Sequence, residues 1–146
     1  MSDVSNELTL KVEHEIEVAA SAERTFQSVL ANLGELFGPG EQSGLNMKLE
    51  PWVGGRWFRD LGDGQGHLWG HVQVMKRSKL LELYGPMFMS YPAVSHLQLK
   101  LTEKDGRTIL TLRHQALGLI DPEHRKGVAE GWGGFIKGVK THAEHR

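Results

Sequence analysis

Between Met47 and Gln115 apolar and polar residues alternate in six short runs, separated by turns rich in glycine or charge. A period of two sends successive side chains to opposite faces of a strand, so the stretch reads as a meander of half-buried strands. The runs are Met47 to Pro51, Gly55 to Leu61, Gly66 to Met75, Leu80 to Tyr84, Val94 to Thr102 and Thr108 to Gln115. GDGQ (Gly62 to Gln65) and EKDG (Glu103 to Gly106) close two of the junctions as tight hairpins. An earlier strand has the same pattern. Leu8, Leu10, Val12, Ile16 and Val18 alternate with Thr9, Lys11, Glu13, Glu15 and Glu17, and His14 falls on the apolar side.

Such a sheet has one apolar face that must be covered. Asp121 and Pro122 form a strong helix start, and the helix they open can run to His142 or to the end. Between the first strand and the meander, Ser21 caps a shorter helix carrying Phe26, Val29, Leu30 and Leu33 at helical spacing. The segment GPGEQSG then breaks it. The 146 residues therefore read as a single α+β domain spanning 1–146, with an antiparallel sheet holding a C-terminal helix.

Composition narrows the chemistry. With no cysteine there is no disulfide, thiol nucleophile or thiolate zinc site. The net charge of −1 gives no general attraction to nucleic acid or anionic membrane. A polar, acidic N-terminus is unlike a secretory leader, and the expectation is a cytoplasmic protein. Charge is uneven: residues 1–50 hold nine acidic and three basic side chains, whereas the rest hold nine and fourteen. Glu13, Glu15 and Glu17 share one strand face, which is either a solvated surface or a dock for a basic partner.

The final helix contains GWGGFIKG. Each glycine in a helix interior costs about 1 kcal/mol relative to alanine. Gly127, Gly131, Gly134 and Gly138 fall in one stripe, beside a ridge of Val128, Trp132, Phe135 and Val139. The bare stripe serves close packing, a ligand volume or a dimer contact. Pairing across GDGQ sets Trp57 opposite Gly70, Phe58 opposite Trp69, Arg59 opposite Leu68 and Asp60 opposite His67. That register turns Trp57, Leu68, Gly70 and Val72 inward and leaves Phe58 and Trp69 on the outer face.

Eight histidines raise the question of a metal. His67 and His71, four apart on a strand, are about 13 Å apart and cannot share one ion. No metal site and no cofactor is expected. His14 and His114 both lie on apolar strand faces, and they meet inside if their strands are neighbours. They are the candidates for an acid/base pair if the protein is an enzyme. No nucleophile elbow, phosphate loop or dinucleotide fingerprint accompanies them.

Several motifs resemble the START-like (SRPBCC) superfamily, and within it the Aha-like group named for activators of a heat-shock chaperone's ATPase. VAASAERTFQSVL resembles the family's entry from strand to helix, and LEPWVGGRWFRDLGDGQGHLWGHVQVM resembles its glycine-pair hairpin. KLLELYGP resembles the following strand, and Gly131, Trp132 and Phe135 match the motif of its last helix. Trp52 stands where the family often has arginine, and KRSK replaces a Pro-Pro turn. The resemblance implies a helix-grip fold. In it a curved seven-stranded antiparallel sheet wraps round the long C-terminal helix, with two short helices after strand 1 and a cavity between sheet and helix. Its neighbouring first and last strands are what bring His14 near His114.

The resulting expectation is a non-enzymatic protein that binds an apolar or aromatic small molecule, as a monomer or homodimer. Trp57, Gly70, Val72, Tyr84, Leu112, His114, Gly131, Trp132 and Phe135 are the expected lining. Two alternatives stand beside it. One is a chaperone-binding module acting through the acidic strand or the Phe58–Trp69 face. The other is a cyclase-, dehydratase- or hydrolase-like enzyme using His14 and His114.

Overall fold

The computed structural model describes residues 8–38, 45–87 and 92–145. The chain runs β1 (Thr9–Val18), α1 (Ala22–Leu33), β2 (Met47–Leu49), β3 (Arg56–Gly62), β4 (Gln65–Lys76), β5 (Leu80–Gly85), β6 (Ala93–Lys104), β7 (Arg107–Gly118) and α2 (Pro122–Glu144). All seven strands pair antiparallel in the order β1-β7-β6-β5-β4-β3-β2. The meander is thus continuous from β2 to β7, and β1 closes onto β7. This is the expected helix-grip arrangement.

Both helices begin where the sequence places their caps. Ser21 Oγ accepts the Arg24 N–H at 3.1 Å, and the Asp121 carboxylate accepts the Glu123 N–H at 2.9 Å ahead of Pro122. A second short helix after β1 is not found among the described residues. The Gly34 N–H returns to the Leu30 carbonyl at 3.1 Å, and the chain turns through residues 34–36 instead. Residues 39–44 lie outside those described.

The sheet's inner face is aliphatic: Val12, Val18, Leu81, Leu83, Leu97, Leu99, Leu110 and Leu112 are buried. Helix α2 covers it with Val128, Trp132, Ile136, Val139 and Ala143, all buried. Their spacing of four, four, three and four follows one helical stripe. Ile136 occupies the ridge position that the sequence reading gave to Phe135, which is half-buried at the ridge's edge.

The β3–β4 hairpin differs from the expected register. Trp57 faces Gly70, but beyond that pair Phe58 faces Leu68, Arg59 faces His67 and Asp60 faces Gly66. Trp69 is the extra residue of a β-bulge, which slips the ladder by one and rotates its indole inward. Trp69 is consequently 8% exposed and Leu68 49% exposed, the reverse of the expected sides. The expected Phe58–Trp69 outer face therefore does not exist. Trp69 packs edge-on to Trp57 at 5.1 Å, while Phe58 lies under the Arg56 guanidinium at 4.6 Å. Tyr84 also points outward, 51% exposed and stacked on His71 at 6.0 Å. The inward positions of its strand are Leu81 and Leu83.

The carboxylates of β1 are answered within the sheet. Arg107 donates to Glu17 at 2.8 Å, Glu13 lies 3.4 Å from Lys11 and 3.8 Å from Arg113, and Thr111 reaches Glu15 at 3.5 Å. No helix among the described residues is long and apolar enough to cross a membrane.

Backbones approach closely where β4 meets β5. A Cβ on Gly70 would stand 2.6 Å from the Tyr84 carbonyl oxygen, and one on Gly85 2.5 Å from the Gly70 Cα. Replacing Gly70 by alanine is expected to cost about 1–3 kcal/mol through forced backbone displacement. Urea denaturation measures it, and unchanged stability would contradict this close approach.

Candidate functional site

The glycines of α2 divide into two kinds. A Cβ on Gly133 would meet the His14 ring at 3.4 Å, so this glycine serves close packing against β1. A Cβ on Gly127, Gly131 or Gly134 would meet nothing within 4 Å. At Gly138 it would meet only Asn32 Oδ1, at 3.1 Å. The stripe therefore borders open space, and close packing does not explain it.

That space is a cleft of about 600 Å³ along the side of α2. One wall is the glycine stripe with Trp132 and Phe135; the other is Asn32 from α1, Leu36, Phe37 and Gly38 after it, and Trp69 from β4. The cleft thus lies between α2 and the α1 turn, beside the buried core. Leu36 and Phe37 reach it because the chain turns at Gly34: the Leu36 N–H bonds the Ala31 carbonyl at 2.9 Å and the Phe37 N–H bonds the Gly34 carbonyl at 3.0 Å.

The lining is predominantly aromatic. Phe37 contacts Trp69 and Trp57 edge-on at 5.4 and 5.7 Å, Phe135 meets Trp132 edge-on at 5.3 Å, and Phe37 lies tilted to Phe135 at 6.5 Å. Edge-to-face contacts of this kind hold rings in fixed orientations and add about 0.5–1.5 kcal/mol per pair beyond burial. Two hydrogen bonds anchor the frame. The Trp57 indole N–H donates to the Leu33 carbonyl at 2.8 Å, tying the end of α1 to β3, and the Met87 N–H donates to the Trp69 carbonyl at 2.8 Å. Of the loop Pro86 to Pro92, residues 88–91 lie outside those described. Glu123, His124 and Glu130 are exposed along the α2 side of the cleft, and no lysine or arginine lines it among the described residues.

The expected lining residues separate into three places. Gly131, Trp132 and Phe135 border the cleft. Trp57, Val72, Leu112 and His114 lie in the core behind it, and Gly70 sits in the close strand contact. Tyr84 is on the opposite face of the sheet. Asn32, Leu36, Phe37 and Trp69 were not expected. Trp69 enters through the bulge, and the other three depend on how α1 crosses α2, which no local pattern reveals.

His14 and His114 have separate partners. His14 Nε2–H donates to the Ala129 carbonyl at 2.9 Å, binding β1 to α2. The Trp132 indole N–H donates to His114 Nδ1 at 2.9 Å. His114 is therefore neutral with its proton on Nε2, which donates to Ser95 Oγ at 2.7 Å. Neither ring borders the cleft. Among the described residues no three His, Asp or Glu side chains are grouped to hold a metal.

No protein-family model matches the chain, and no curated protein matches it. Solved structures do. Protein CV1439 from Chromobacterium violaceum is 16% identical with a TM-score of 0.70, over 93% of this chain and 98% of that one. The Mll3558 protein from Rhizobium loti is 18% identical with a TM-score of 0.69, over 92% and 97%. DynU16, a protein in the dynemicin biosynthetic locus, is 16% identical with a TM-score of 0.62, over 92% of this chain and 47% of that one. At these identities the likeness is one of fold.

Burial lowers the His114 pKa from 6.5 to about 4. The unfolded chain thus binds a proton that the folded one refuses between these values. Stability should be complete above about pH 6.5 and fall toward pH 4, by an amount on the order of 3 kcal/mol from this residue. In urea denaturation at several pH values, His114→Leu should be weaker at neutral pH, because the Trp132–His114 hydrogen bond is removed, yet lose less on acidification. An equally steep acid loss in the variant would refute the assignment. Gly131→Ala and Gly134→Ala, by contrast, should each raise stability by about 0.5–1 kcal/mol, since the new methyl strikes nothing. Thermal unfolding measures both.

Proposed function

We propose that this protein binds an uncharged aromatic or apolar small molecule in the cleft beside α2. The observation that carries the reading is the empty space over Gly127, Gly131 and Gly134. A helix that accepts about 1 kcal/mol of lost propensity at each of these positions gains no packing contact in return. What it gains is a flat wall facing Phe37 and Trp69 across an open volume. Flat rings slide between such walls, whereas branched side chains on α2 would fill the same space. About 600 Å³ lies within the usual range for small-molecule sites.

Charge selects against anions. The carboxylates of Glu123 and Glu130 flank the cleft without a lysine or arginine among the lining residues to offset them. A binding role also agrees with how His14 and His114 are used, since both rings carry bonds that hold the fold. A fold relative in a biosynthetic locus suits a protein that holds small molecules.

The test uses the protein's own tryptophans. Trp69 and Trp132 border the cleft, while Trp52 is 58% exposed elsewhere. Titration with 1-methoxynaphthalene should quench or shift emission with saturation, and the change should shrink in Trp69→Phe. Gly131→Leu should remain folded and weaken binding at least about tenfold, because its side chain occupies the volume. Saturable binding of equal strength in Gly131→Leu would reject this site.

A further inference from the structure

Resting on that reading, we infer that the cleft selects aromatic ligands bearing a hydrogen-bond donor, such as a phenolic O–H or a ring N–H, and that the Asn32 carboxamide oxygen receives it. Asn32 is 8% exposed and lies at the Gly138 end of the cleft. Its Nδ2 donates to the Ser28 carbonyl at 2.8 Å and approaches Ser28 Oγ at 3.3 Å. A carbonyl oxygen only accepts, so the nitrogen must face Ser28 and the oxygen must face away. The oxygen is directed at Gly138, 3.1 Å from where a Cβ would stand, and no protein hydrogen bond to it is found among the described residues.

The support behind Asn32 is complete. Ser28 Oγ–H donates to the Val139 carbonyl at 2.8 Å, leaving its lone pairs to accept from Asn32 Nδ2 and from His142 Nδ1–H at 2.9 Å. The carboxamide is therefore held from α1 and α2 together and cannot flip without losing its bond to Ser28. Asn32 Oδ1 is not among the side-chain atoms buried without a partner, so it stays reachable from the cleft, and a ligand donor held between the apolar walls replaces solvent there. Glycine at 138 is also explained: any larger residue would press on the oxygen. Apart from the exposed Glu123, His124 and Glu130 along the α2 side, the lining supplies mainly ring and backbone surface, which every flat ligand satisfies alike. Asn32 is the group that distinguishes among them.

The experiment compares 1-naphthol with 1-methoxynaphthalene at neutral pH, by fluorescence titration of the wild-type chain and of Asn32→Leu. The two probes share an aromatic body, and only the naphthol donates. Wild type should prefer naphthol by about three- to tenfold, the range of one neutral hydrogen bond. In Asn32→Leu the ratio of the two affinities should fall to about one, whatever the substitution does to both probes alike. Equal affinity in wild type, or a preference that persists in the variant, would overturn the inference and leave the cleft reading standing. Failure of both probes to bind wild type would overturn the two together. If Asn32→Leu does not fold, the wild-type ratio alone decides.

Discussion

The rotational setting of α2 about its own axis governs what this fold can do. Trp132 and the glycine stripe are about 100° apart on the helix, so one faces the sheet only if the other does not. The bond from the Trp132 indole to His114, at the bottom of the core, fixes that choice. His14 adds a second restraint at the Ala129 carbonyl, and Gly133 lets β1 come close enough to make it. Turned by one residue, the helix would bury its glycines and expose its aromatic ridge. The cleft follows from which side of α2 the sheet holds.

A second set of contacts fixes α1 relative to α2. Arg24 Nε donates to the Ala143 carbonyl, and its guanidinium also bonds the His145 carbonyl at 2.6 Å, which satisfies the end of α2. Near the same end Glu144 accepts the Ala19 N–H at 2.6 Å and Lys140 Nζ at 2.6 Å, and these donors hold its carboxyl below the usual range. The helices are thereby joined at one end through polar bonds and spread at the other around the cleft. Asn32 lies on the border between those regimes, bonded to buried Ser28 on one side and lining the cleft on the other.

The strands were legible because alternation is a local signal. Leu10, Val12, Leu110 and Leu112 are buried as their period requires. Caps at Ser21 and Asp121 were equally local. Expectation and structure part where geometry depends on distant parts of the chain. Nothing in the alternation around Trp69 announces a bulge, because the extra residue is defined only by its partner strand. Phe135 looked like core by size, but Ile136 lies on the buried stripe and Phe135 one position off it. Tyr84 sits where the resemblance implies an inward aromatic, but the register of β5 turns Leu83 inward instead. Asn32 carries no sequence signal at all, since its place beside Gly138 joins positions over a hundred residues apart.

The bare wall of α2 also gives this molecule an asymmetric response to chance mutation. Most helix-compatible replacements at Gly127, Gly131 or Gly134 strengthen the helix while narrowing the opening beside it. Selection for durability alone would close it within a few substitutions. An open cleft is therefore the condition that this fold leaves most easily, and only a use for the volume would oppose its loss.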